Sequence, residues 1–159
     1  MSETETQLSR DRLIWRVITG IGLVFLLLGL LDAALSWFPL QLGDSEWELG
    51  TTSHFFDTFP LLGLGLSFLL ATSVAQGRRW TARVLATFCV LLAVFMWLAV
   101  ALYATVLPLA FKYVANPDAL TPMKKAGAKT AVQALIYPFA LLWLAGAGWR
   151  ASFRRRPGG

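Results

Sequence analysis

Apolar residues fill four long blocks separated by short polar breaks: about Leu13 to Leu40, Phe55 to Ala75, Thr81 to Leu109 and Ala126 to Trp149. A helix of ~20 apolar residues crosses a bilayer core of about 30 Å. Each block reaches that length, and none alternates in the manner of a barrel strand. The pattern therefore predicts an all-α, polytopic membrane protein, a four-transmembrane-helix bundle over 13–149. Residues 1–12 and 150–159 are its tails. The apolar core Val17–Leu31 reaches the limit of a signal-peptide h-region (about 7–15 residues), and Trp37, Phe38 and Pro39 follow the small residues Ala34-Leu35-Ser36. The first block is therefore read as a retained anchor. The third is long, about 28 residues or roughly 42 Å, so it tilts or projects beyond the membrane. Asn116-Pro117-Asp118 reads as a turn, and Thr121-Pro122 as the start of the fourth helix.

Composition narrows the class. The chain has 159 residues, 57% of them hydrophobic and 14% charged, and a mean hydropathy of +0.61. Soluble domains carry roughly 25% charge. A soluble enzyme and a disordered chain are excluded. The single cysteine, Cys89, lies in an apolar run, which excludes an internal disulfide or a CxxC site.

The net charge of +5 does not point to nucleic acid, because the basic residues sit at the ends of the apolar blocks. Every arginine falls on one side: Arg10, Arg12 and Arg16; Arg78, Arg79 and Arg83; Arg150, Arg154, Arg155 and Arg156. The positive-inside rule makes that side cytoplasmic, with both termini inside. Trp15, Trp80 and Trp149 mark the inner interface, and Trp37 and Trp47 the outer one. The expected location is a bacterial inner membrane, cytoplasmic or photosynthetic. The Arg154–Arg156 cluster reads as an orientation signal or a contact for anionic lipid.

The outer loop Gln41–His54 is the most distinctive polar segment. Asp44, Glu46, Trp47 and Glu48 make a docking surface for a partner, or else a loop folded back on its own bundle. This loop and Asp57 are acidic, while Lys112, Lys124, Lys125 and Lys129 on the same side are basic, so the two sets are expected to pair. Asp32 lies about 24 Å along the helix from Arg16, near the outer boundary. Lys129, Gln133 and Tyr137 recur at i, i+4, i+8 and share one face. This polar stripe reads as interhelical hydrogen bonding or, alternatively, an ion path. Only Pro138 is read as interrupting a span, without the paired broken helices of a transporter. His54, with Asp57 three residues on as its orienter, would suit general acid–base work, but no nucleophile in a recognisable setting accompanies it; Ser53-His54 reads instead as a cap of the second helix, or His54 as a single axial ligand to a pigment metal. Gly20, Gly22, Gly63 and Gly65 are candidate helix-packing positions. No catalytic residues, metal site or cofactor are evident; a bound pigment or lipid stays open.

The stretches Phe38-Pro39-Leu40, Glu46-Trp47-Glu48-Leu49 and Pro60-Leu61-Leu62-Gly63-Leu64-Gly65, with Lys129-Thr130 and Ala134-Leu135-Ile136-Tyr137, resemble small four-helix bacterial membrane proteins termed HpsJ-like. The resemblance implies a cyanobacterial or related host and an accessory role beside polysaccharide export or an exosortase. Three function classes remain. The first is a non-catalytic subunit or assembly factor of a larger membrane complex, photosynthetic or respiratory. The second is that export accessory factor, and the third a small transporter or lipid-acting membrane protein. The expected partners are membrane lipids and other integral membrane subunits.

Overall fold

A computed structural model describes residues 3–41, 43–113 and 117–153. The described residues form four helices: α1 (Glu3–Ser36), α2 (Ser45–Ala75), α3 (Arg79–Tyr113) and α4 (Pro117–Phe153). Each contains a stretch long and apolar enough to cross a membrane. The helices are longer than the apolar blocks because polar flanking residues continue them. α3 has 35 residues, roughly 52 Å at ~1.5 Å per residue. α4 starts at Pro117, four residues before Thr121, since proline needs no N–H partner at the first helical position. Asn116 and the Arg154–Arg156 cluster lie outside the described residues. Pro60 lies within α2 and Pro108 within α3, so Pro138 is not the only proline inside a helix.

The largest departure concerns the Gln41–His54 segment. It is helical from Ser45 onward, so Ser53 and His54 lie more than two turns inside α2 and do not cap it. The Glu48 N–H bonds the Asp44 carbonyl at 2.9 Å, which makes Asp44 the residue from which α2 starts. Gly43, at φ +94, turns the chain there, and its N–H donates to Glu48 Oε1 at 3.1 Å. At the other end, α2 stops in a Schellman closure. Gly77 takes φ +69, its N–H bonds the Val74 carbonyl at 3.1 Å, and the Arg78 N–H bonds the Ser73 carbonyl at 2.9 Å.

α2 is the hub. It packs against α1, α3 and α4, and α3 packs against α4, whereas α1 has extended packing with α2 alone. The described buried positions of α3 are Ala82, Ala86, Cys89, Ala93 and Met96. They alternate by four and three residues, a heptad-like seam of mostly small side chains that lets helices approach closely. α4 shows the same spacing at Gly127, Thr130, Ala134, Pro138, Leu141, Ala145, Gly148 and Ser152. Phe56, Leu62 and Leu66 of α2 fill the space between these seams.

In α1 the described buried residues are both glycines, Gly22 and Gly29. A Cβ on Gly65 would stand 2.6 Å from the Leu26 nitrogen and 2.9 Å from the Gly22 carbonyl. A Cβ on Gly29 would stand 2.7 Å from Leu62. The α1–α2 pair is therefore a backbone-to-backbone contact that side chains would prevent. Gly20 has nothing within 4 Å, and Gly63 faces only the Phe59 ring of its own helix.

Candidate functional site

The upper end of the molecule is the end of the α1–α2 turn, and it brings together Asp32, His54, Asp57 and Lys129. Rotation by about 100° per residue gives α2 two adjacent rows there. His54 and Thr58 face α1, while Ser53 and Asp57 face α4. Asp32, one turn before the end of α1, meets the first row. Thr58 Oγ1 donates to Asp32 Oδ2, and His54 Nε2 lies 3.2 Å from the same oxygen. Thr51 Oγ1 adds a bond to the Ser36 carbonyl at 3.4 Å. The last turn of α1 is thus held by Thr51, His54 and Thr58, three residues on one face of α2.

The second row meets α4. Lys129 Nζ lies 2.7 Å from Asp57 Oδ1 and 2.8 Å from Oδ2, so one ammonium spans the carboxylate. Gln133 Nε2 donates to Asp57 Oδ1 at 3.0 Å and to the Tyr137 hydroxyl at 3.4 Å. The amide orientation follows from the carboxylate, which only accepts. Gln133 Oε1 is buried with no hydrogen-bond partner among the described residues. Ser53 and Thr130 hydroxyls meet at 3.2 Å, and the Tyr137 ring stacks on Phe59 at 4.3 Å between centroids.

The stripe Lys129, Gln133 and Tyr137 therefore turns toward α2, and Asp57 is the group that gathers it. Among the described residues, the expected acidic–basic pairing includes Asp57–Lys129; Lys124 and Lys125 are exposed, and the Lys112 side chain lies outside the described residues. His54 bonds Asp32 on the neighbouring helix, while Asp57 on its own helix is taken up by Lys129. A metal bound through His54 Nε2 would have to displace Asp32. Among the described residues, no group of three or more His, Cys, Asp or Glu side chains could hold a metal ion. Trp47 and Glu48 are half-buried on the first turns of α2, Asp44 precedes them and is exposed, and the Glu46 side chain lies outside the described residues.

Two cavities flank the Asp57 cluster. Above it lies an open cavity of about 340 Å³ lined by Gly50, Ser53, His54, Asp57, Tyr103 and Leu107. Below it an apolar groove of about 570 Å³ runs between α2 and α4, past Phe59, Pro60, Gly63, Ser67, Tyr137 and Ala140. Asp57 lines the first and Tyr137 the second, and Gln133 bonds both. Thr58 and Gly29 were not singled out from the sequence. The signal for Thr58 was its place four residues after His54, on the same helix face.

At the lower end, Arg83 Nε donates to Ser152 Oγ at 3.4 Å, and its guanidinium sits 4.7 Å from the Phe153 ring centre. No protein-family model, curated protein or solved structure matches this chain.

Proposed function

We propose that the chain is a multi-pass integral membrane protein of a bacterial inner membrane, with both termini cytoplasmic. In this reading it is a non-catalytic subunit or assembly factor of a larger membrane complex. The orientation rests on the arginines, all at the tail and α2–α3 ends of the spans.

The observation that carries the subunit role is lopsided packing. α2 is supported by three helices, while α1 has extended packing with one. The remaining surface of α1 exposes Leu13, Val17, Val24, Leu27, Leu31 and Leu35. An apolar transmembrane helix of another subunit would complete the support that α1 lacks. Asp32, bonded to His54 and Thr58, fixes the upper end of α1, so the helix is presented in one orientation.

The test is purification of the tagged chain from its native membrane in mild detergent, followed by mass spectrometry and an absorbance spectrum. Elution within a complex of fixed composition is expected. Elution alone, or as a small homo-oligomer, sinks the subunit reading. Recovery with glycosyltransferases or exporter components would assign the envelope-polymer role instead.

A further inference from the structure

We infer that the α2–α4 groove, with the cavity above it that α3 also lines, is a binding site for one zwitterionic phospholipid with a primary ammonium headgroup, of the phosphatidylethanolamine type. The proposal does not depend on whether a partner covers α1.

The two cavities lie one above the other on one face of α2, joined at the Asp57–Lys129 pair. The upper one, which α3 and α4 also line, presents Ser53, His54, Asp57 and Tyr103 beside Gly50, Leu107 and Ala126, and the lower groove between α2 and α4 presents Phe59, Pro60, Gly63, Ala140 and Leu144. Small or side-chain-poor residues, namely Pro60, Gly63, Ser67 and Ala140, make the groove. Phe59 to Ser67 spans eight residues, roughly 12 Å at ~1.5 Å per residue. A polar head over an apolar slot matches a lipid, whose head and chain divide in the same way.

Depth agrees. Asp57 is seven residues into the apolar stretch that begins at Gly50, and Lys129 five into the one that begins at Lys124. These are about 10 Å and about 8 Å along the helices. The charge pair therefore lies near the boundary of headgroup and hydrocarbon, at the level of a phospholipid's phosphate and glycerol.

Charge selects the head. Lys129 uses its ammonium on both oxygens of Asp57, yet its side chain is 58% exposed and that of Asp57 39%. An ammonium has three donors, and a carboxylate about four acceptor positions. One Lys129 N–H remains for a phosphate oxygen. Asp57 Oδ2, which takes only Lys129, remains for an ammonium. Because the pair sums to zero, a head that carries both charges satisfies both partners. An anionic head would leave Asp57 facing negative charge. A quaternary ammonium has no N–H to give Asp57.

The experiment is native mass spectrometry of the purified chain with equimolar phosphatidylethanolamine, phosphatidylcholine and phosphatidylglycerol. One retained phosphatidylethanolamine per chain is expected, in preference to the other two. Ala140→Trp fills the groove from an exposed position without touching the charge pair. It should lower retention about tenfold, while Leu27→Trp on the exposed face of α1, which lines neither cavity, should not. Asp57→Asn keeps the shape and leaves Lys129 as an uncompensated cation. It should reverse the preference toward phosphatidylglycerol by about tenfold, the effect expected of one charge-assisted contact. Equal retention of all three lipids would mean annular lipid only and would overturn the proposal. So would a wild-type preference for phosphatidylglycerol, or unchanged retention in Ala140→Trp.

Discussion

Glycine at position 65 decides how near α1 comes to α2, because its missing Cβ leaves room for the Leu26 amide and the Gly22 carbonyl. Neither neighbour is the far end of a flexible side chain, so a methyl there moves a helix. Gly65→Ala should destabilise the α1–α2 pair by about 1–3 kcal/mol, the usual cost of overpacking. Gly20→Ala, with open space around it, should cause no loss and can add the higher helix propensity of alanine. Unfolding in mixed micelles compares the two, and equal effects would remove Gly65 from its role. The polar ties are smaller. Thr58→Val deletes the hydroxyl that donates to Asp32 but leaves His54 in place. Interhelical hydrogen bonds in membranes average about 0.6 kcal/mol, with a maximum near 1.7. The same assay should read a loss in that range. No loss would mean that His54 alone holds Asp32. The stripe Lys129, Gln133 and Tyr137 was legible in the sequence, because helical period alone puts i, i+4 and i+8 on one face. Its convergence on Asp57 was not legible, since the period says nothing about which helix that face meets.

Helices of this chain end where backbone groups find partners, and that is seldom where hydropathy falls. The Asp44-Ser45-Glu46 sequence carries an N-terminal helix signal, and α2 starts there although the apolar block starts about ten residues later. Gly77 stops the same helix in a left-handed conformation that a Cβ disfavours by roughly 1–2 kcal/mol. Gly77→Ala should lower unfolding stability by about that amount, while Gln76→Ala should not. Equal stability of the two would show the closure to be replaceable. The seams of α3 and α4 were present in the sequence as small residues spaced four and three apart, from Ala82 to Met96 and from Gly127 to Ser152. Their neighbours are also apolar, so hydropathy conceals them. Size, not polarity, marks the packed face of a helix whose other faces are aliphatic.

At the scale of the whole molecule, α1–α2 and α3–α4 are hairpins joined along α2. Cys89 is fully buried in the first half of α3, which makes Cys89→Ala a suitable background for placing single cysteines. Gln41 and Gln76 are exposed at opposite ends. In intact cells, Gln41→Cys should react with an impermeant maleimide and Gln76→Cys only after permeabilisation. The reverse result would invert the proposed topology and place the lipid site in the cytoplasmic leaflet. The ring contact of Trp37 with Phe95, at 6.1 Å between centroids, brings the end of α1 to α3 across the upper end.

Four apolar blocks, their lengths and the one-sided arginines follow from the sequence alone, because a helix in hydrocarbon must satisfy its own backbone and so writes its span locally. Gly22 and Gly65 were visible as small residues, Asp32 and Asp57 as charged groups in apolar runs, and His54 as a polar group at the edge of the second run. What only the tertiary structure decided was pairing. The axial offset between α1 and α2 puts Asp32 between His54 and Thr58, and the rotation of α4 puts Lys129 and Gln133 on Asp57. Offset and rotation are set by close contact at Gly22, Gly29 and Gly65, and by the seams of α3 and α4. Those contacts join residues far apart in the chain, and a local pattern carries no record of them.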